Sequence, residues 1–212
     1  MEKIELTAMK DPSGLQYDVY QAVCMKLQAK AKQAENPVRV IVVTSTTAVE
    51  GQESVVANLA VVMAKTGVKT LLIDCNFRTP VLHEVFQLSN RGLTNCLVAG
   101  TDYHEFVQHV ADADLDIVTG GEAVANAGEL LSGRQMQELL QAVRGEYEYV
   151  FVNTSPVLAS ADAISISGKV DGVILVIASG KNEAKLINKA KVTLEQTGAS
   201  LLGCILNNVT EE

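Results

Sequence analysis

Three polar stretches carry residue types from which a phosphate-handling site is built. The first, Thr44 to Ser54, ends Glu50-Gly51-Gln52-Glu53-Ser54. The second is Asp74-Cys75-Asn76-Phe77-Arg78, and the third is Asn153-Thr154-Ser155-Pro156. A glycine-bearing loop that opens a helix aims backbone N–H groups at phosphate oxygens, while a lysine or a metal held by carboxylates neutralises the charge. Apart from Arg78, these stretches carry no positive charge. Gln52 donates hydrogen bonds but is neutral, Glu53 adds a negative charge, and Asn76 and Asn153 are amides, with Asp74 the acid of the second stretch. Spacing excludes other chemistry. The four cysteines, Cys24, Cys75, Cys96 and Cys204, lie far apart without a redox or metal-ligand motif. Each reads as a small buried hydrophobe with a reduced thiol. His83, His104 and His109 form no ligand pair, so no metal site is expected.

Each polar stretch follows a run that reads as a strand. Val40-Ile41-Val42-Val43 is continuously apolar and β-branched, the pattern of a strand buried on both faces. Lys69 to Asp74, Leu115 to Val118, Tyr147 to Val152, Val173 to Ala178 and Leu201 to Leu206 supply the other strands. Helices are expected from an Asp11-Pro12 cap to about Gln33, then over Val55 to Lys65, Arg134 to Arg144 and Asn182 to Gln196. Residues 1 to 10 read as a loose tail, and Glu35-Asn36-Pro37 as a helix break. Strands alternating with helices make βαβ units. The fold class is therefore α/β: a single domain over residues 1–212, three-layer α/β/α, with a mostly parallel central sheet. Ligands of such sheets bind beyond the carboxyl ends of the strands, where the three polar stretches fall. This is the layout of a P-loop nucleotide-binding protein.

Composition narrows the functions. The chain has 212 residues, 48% of them apolar, with 17 basic against 25 acidic side chains and a net charge of −8. That balance argues against a general nucleic-acid binder, which needs a basic face. No apolar run approaches the roughly 18–20 residues of a membrane helix. The start, Met-Glu-Lys-Ile-Glu, lacks the features of a signal peptide, so a cytoplasmic protein is expected.

Four segments carry a resemblance to a known family. They are NLAVVMAKTGVKTLLIDCNFRTPVLHEVF (Asn58 to Phe86), NAGELLSGRQMQELL (Asn126 to Leu140), YEYVFVNTSPVLASADA (Tyr147 to Ala163) and GCILNNV (Gly203 to Val209). Over roughly residues 11 to 209 the chain resembles the cytoplasmic domain of the bacterial tyrosine kinases of capsule and exopolysaccharide synthesis. These are relatives of the partition and division-site ATPases. The family's phosphate loop reads Pro-Gly-Glu-Gly-Lys-Ser-Thr before its Asn-Leu-Ala. Counting back from Asn58 sets it on Ala48-Val49-Glu50-Gly51-Gln52-Glu53-Ser54. The family lysine is thus Gln52, its magnesium-binding serine Glu53, and one glycine Val49, which disfavours left-handed backbone. In the family's Asp-x-Asp-x-Arg motif the second acid is Asn76, and its Walker B aspartate is Asn153; Asp74 is retained. At about 5 Å and an effective dielectric near 20, each unit charge is worth roughly 3 kcal/mol.

The resemblance with these departures implies a pseudokinase: a regulatory or scaffold subunit in polysaccharide synthesis or export. Its expected partner is the cytoplasmic segment of a membrane chain-length regulator (co-polymerase) or an active paralogous tyrosine kinase, with no nucleic acid and no membrane insertion of its own. Homo-oligomerisation is open. The alternative is an active ATP-dependent tyrosine kinase or ATPase with an atypical Walker A loop. A partition-type switch needs a further lysine that Thr44 to Val49 lacks. No cofactor is assigned beyond weak ATP or ADP with magnesium, for which the remnant contacts are Gly51, Ser54, Arg78 and Asn207. Asn207 reads equally as the adenine-contacting position and as a turn residue. Asp74 and Arg78 are expected to form an ion pair rather than a metal site, and Asp162 reads either as a retained family position or as a helix cap. The family's ring-packing pattern, acidic-x-x-Arg-x-x-Arg, falls on Asp18, Gln21 and Cys24, without either arginine, and no tyrosine follows Tyr149. Lys181, Lys185 and Lys189 read as a solvated stripe, and Tyr17 and Tyr20 as buried or interface aromatics.

Overall fold

The computed structural model describes residues 4–33, 37–48 and 50–209. The expectations for Val49, for Glu35-Asn36 and for Thr210 to Glu212 fall outside those residues. In chain order the elements are α1 (Thr7–Lys10), α2 (Leu15–Gln33), β1 (Val40–Ser45), α3 (Gln52–Lys65), β2 (Thr70–Asp74), α4 (Leu82–Val85) and α5 (Leu93–Ala99). They continue with β3 (Val107–Val110), β4 (Leu115–Val118), α6 (Ala127–Ser132), α7 (Arg134–Glu146), β5 (Tyr149–Asn153), α8 (Asp162–Ser167), β6 (Gly172–Ala178), α9 (Ala184–Glu195) and β7 (Leu201–Asn207).

The strands form one sheet in the order β3-β4-β2-β5-β1-β6-β7. Every neighbouring pair is parallel except β3 with β4. A parallel strand covered on both faces must be apolar throughout, and β1, β2 and β5 are buried along their whole lengths. Two apolar clusters flank the sheet. One packs Val40, Val42 and Leu71 against α7, α8 and α9; the other packs Ile41, Val43 and Leu72 against α3, with α2 outside it. Sandwiched between α2 and the sheet, α3 buries residues on all sides from Val55 to Ala64.

Register places the chemistry. β5 lies between β2 and β1, with Asp74 opposite Asn153 and Val43 opposite Asn153. The three polar stretches therefore leave adjacent strands at the same end of the sheet.

Several expectations need correction. Residues 1 to 10 are not all tail, since Thr7–Lys10 is helical and Ala8 is buried against α3. The Asn58 side chain holds it, accepting from the Ala8 N–H at 2.9 Å and donating to the Glu5 carbonyl at 2.9 Å. Asp11 caps a turn through Ser13, and α2 starts only at Leu15. The short antiparallel edge strand β3 was not anticipated, and α3 begins at Gln52 rather than Val55. Cys24, Cys75 and Cys96 are buried, but Cys204 is exposed because β7 is an edge strand. No described helix is long and apolar enough to cross a membrane.

Candidate functional site

The loop between β1 and α3 turns at Gly51, whose φ of 69° is left-handed. The backbone therefore favours glycine, and a Cβ there would also meet the Asn207 side-chain nitrogen at 2.7 Å, displacing it. Inside the turn lies Glu50, fully buried. Its carboxylate accepts from the Thr47 N–H at 2.9 and 3.0 Å, from the Thr46 and Thr47 hydroxyls, and from Asn182 Nδ2 at 2.6 Å. Asn207 Nδ2 donates to the Glu50 carbonyl at 2.8 Å. The loop thus surrounds a carboxylate of its own. It is tied to the connection after β6 by Asn182 and to the end of β7 by Asn207.

Gln52 points into the sheet and is 2% exposed. Its Oε1 accepts from Ser45 Oγ at 2.8 Å, and its Nε2 donates to Asn153 Oδ1 at 2.7 Å and to the Thr154 carbonyl. Asn153, fully buried, donates from Nδ2 to Asp74 Oδ1 at 2.9 Å. Asp74 also accepts from the Asn76 and Leu82 N–H groups at 3.0 and 3.4 Å. A one-way chain of donors therefore runs Gln52, Asn153, Asp74, and the Thr154 carbonyl and the Asp74 carboxyl fix the orientation of the two amides. Burial pushes the Asp74 carboxyl up to about 6, against the pull of the Asn153, Asn76 and Leu82 donors. Burial also raises Glu53, whose own backbone N–H counters the rise and whose neighbour Glu50 adds to it.

The remaining candidates lie as follows. Asn76 Nδ2 donates to Thr79 Oγ1 at 3.1 Å. Ser54 Oγ donates to the Glu5 carbonyl at 3.3 Å, on the side of α1. Arg78 does not pair with Asp74. It forms a two-pronged ion pair with Asp162, Nε to Oδ2 at 2.7 Å and Nη2 to Oδ1 at 3.2 Å. The reason is reach: Asp74 is sealed beneath its loop, whereas Asp162 opens α8 across from Arg78. Asp162 accordingly does not cap its helix by side chain. Burial opposes its ionisation, yet Arg78, Ser160 and Ser155 together hold its carboxyl below the usual range. Lys181, Lys185 and Lys189 are exposed, and Tyr17 and Tyr20 are half-buried against the core.

The roles of Glu50 and Asn182 were missed from the sequence. The signal for Glu50 was its spacing after Thr46-Thr47, which lets a side chain fold back on its own loop. Asn182 becomes a neighbour only because β6 pairs with β1. As an arrangement, the three loops offer phosphate no lysine or free guanidinium. The acids beside them are Glu50, Glu53 and Asp74, and the Gln52 side chain is fully engaged in hydrogen bonds. Among the described residues no group of three or more His, Cys, Asp or Glu side chains is placed to hold a metal.

A family described as AAA domain matches residues 38–191. Tyrosine-protein kinase YwqD of Bacillus subtilis (strain 168) is 36% identical over 201 residues, 94% of this chain and 84% of that one. The solved kinase domain of the Escherichia coli tyrosine kinase ETK superposes with a TM-score of 0.93 at 30% identity, covering 100% of this chain and 83% of that one. The chimerical protein CapA2B2 superposes with a TM-score of 0.90, also at 30% identity, covering 97% of this chain and 90% of that one.

Proposed function

The chain belongs to the bacterial tyrosine-protein kinase family, and from that premise we propose that it is a member that has given up phosphoryl transfer and acts as a regulatory or scaffold subunit in capsule or exopolysaccharide synthesis. One observation carries this reading. The residue at the phosphate-binding lysine position is a buried glutamine whose amide is committed to Asn153, itself an amide at the metal-binding aspartate position. The pair replaces a cation and an anion by two neutral groups that satisfy each other. Folding keeps its hydrogen bonds, while the charges that phosphoryl transfer relies on are gone. Glu50 is not what separates this chain from active relatives, because the family's loop pattern carries a glutamate there too.

Magnesium nucleotide fits this site poorly. Glu53 stands where a neutral hydroxyl would meet the metal, and the acids at the loop repel phosphate. The working partner in this reading is the cytoplasmic segment of a membrane chain-length regulator, or an active tyrosine kinase of the same family. Either would bring the chain to the inner face of the membrane.

Calorimetric titration with ATP and ADP, with and without magnesium, tests the proposal. The natural chain is expected to give no heat up to about millimolar nucleotide. A variant with Gln52→Lys, Glu53→Ser, Asn76→Asp and Asn153→Asp is expected to bind. Micromolar, magnesium-dependent binding by the natural chain would sink the proposal in favour of an active kinase, with phosphotyrosine mapping as the next step.

A further inference from the structure

Arginine partners single out one place on the surface. Arg39 donates to the Arg144 carbonyl, Arg78 pairs with Asp162, Arg134 with Glu138, and Arg144 with Asp171. Arg91 differs: among the described residues its guanidinium has neither a hydrogen bond nor an ion pair. It lies over the Phe106 ring, 5.1 Å from the centroid. With 25 acidic side chains on the molecule, a guanidinium held by an aromatic face instead of a carboxylate is left with its donors unspent.

Arg91 lines an open cleft of about 410 Å³ between α5, Phe106 before β3, and the loop after β4. Asn95 offers a second donor. Its Oδ1 accepts from the Gly92 N–H, which leaves Nδ2 free. The first N–H groups of α5 are taken by the Thr119 and Gly120 carbonyls, so the cleft presents side chains rather than a helix end. Apolar surface lies alongside, from Val98, 71% exposed, and half-buried Val124. The exposed Glu122 also lines the cleft.

We infer that this cleft docks a carboxylate-bearing segment of a partner chain, with the carboxylate on Arg91 and Asn95 and a neighbouring apolar side chain against Val98 and Val124. The charge count selects a carboxylate over a phosphate. One guanidinium and one amide match a monoanion with two oxygens, whereas a dianion would sit beside Glu122 with a single cation to offset it. A positioned arginine beside an exposed aliphatic side chain has the makeup of an interface anchor. The cleft also adjoins the degenerate site, since the Val124 N–H donates to the Phe77 carbonyl at 3.2 Å, next to Arg78. The inference is independent of whether nucleotide binds.

The test is a chemical-shift titration of the full chain with three capped peptides: Gly-Leu-Glu-Leu-Gly, its glutamine counterpart, and its phosphotyrosine counterpart. The glutamate peptide is expected to move the Arg91 side-chain N–H, the Asn95 amide and the Val98 and Val124 methyl signals, with a dissociation constant of roughly a millimolar or below. The glutamine peptide and the Arg91→Gln variant are each expected to weaken binding about tenfold. Arg91→Lys should keep part of it, because it restores charge without the fork. Unchanged signals elsewhere in each variant establish that the fold is intact. No movement at the cleft, or equal binding by Arg91→Gln, overturns the inference. Tighter binding of the phosphotyrosine peptide overturns the choice of carboxylate.

Discussion

Gln52 and Asn153 are best understood as a pair, since the Gln52 amide donates to Asn153 Oδ1 at 2.7 Å. Asn153→Asp alone removes the N–H that Asp74 accepts and sets two carboxylates at hydrogen-bond distance in a fully buried site. A loss of about 2–4 kcal/mol at pH 7 is expected. Adding Gln52→Lys supplies the missing cation, so the double variant should recover part of that loss. Urea unfolding of the four-member cycle should give a coupling of about 1–3 kcal/mol; strict additivity would show that the two side chains are independent. Asp74 gives a second prediction, on pH. Its carboxyl is raised to about 6 in the fold, from an unfolded value near 3.8, so the folded chain binds the extra proton between those values. Stability from this group is therefore greatest below about pH 4, falls as pH rises toward 6, and stays lower above it. The difference amounts to about 3 kcal/mol. Asp74→Asn should flatten that part of the pH profile relative to the natural chain, and an unchanged slope would place the raised group elsewhere. The identities of these residues were legible, Gln52 by counting back from Asn58 and Asp74 and Asn153 from the motifs ending their strands, but their bonding was not. Sequence cannot say which of two acids a guanidinium reaches, and Arg78 took Asp162 because Asp74 is closed beneath its own loop.

Among the elements, legibility followed periodicity and length. The runs that became β1, β2 and β5 were readable because a strand buried on both faces admits only apolar residues. β3 was not readable: Val-Gln-His-Val is four residues long and only partly buried, and it exists by pairing with β4. α1 was hidden for a different reason. Four residues are too few for a helix to persist alone, and this one is held by the side chain of Asn58, 50 residues downstream of Ala8. All of Asn58's amide atoms are in use, Oδ1 by Ala8 and Thr7, Nδ2 by the Glu5 and Ser54 carbonyls. Asn58→Leu keeps the volume and removes the bonds, leaving the Ala8 N–H buried without a partner. The expected cost is about 1–3 kcal/mol. Amide exchange should show where it falls: residues 5–10 lose protection while the β1 amides keep theirs. Exchange that rises equally across α3 would mean that Asn58 supports the helix it sits on instead.

For the molecule as a whole, the polar end of the sheet is a stabilising element in its present form. Glu50, Gln52, Asn153 and Asp74 are all buried and hydrogen-bonded, and they join the loops after β1, β2, β5, β6 and β7. An active site in the same place would need a lysine and several carboxylates gathered in advance of their ligand, which strains the empty state. The fourfold variant that combines Gln52→Lys, Glu53→Ser, Asn76→Asp and Asn153→Asp should therefore have a lower melting temperature without nucleotide. For a chain of this size each kcal/mol is worth about 2–4 °C, so a drop of about 4–10 °C is expected. Saturating magnesium nucleotide should return about 3 kcal/mol at a hundredfold excess over its dissociation constant. The natural chain should melt at one temperature regardless of nucleotide. Thermal unfolding of both proteins, each with and without magnesium nucleotide, decides the matter. A natural chain that gains several degrees on adding nucleotide has kept a working site. A fourfold variant that melts higher than the natural chain without ligand would show that the amide network does not stabilise the fold.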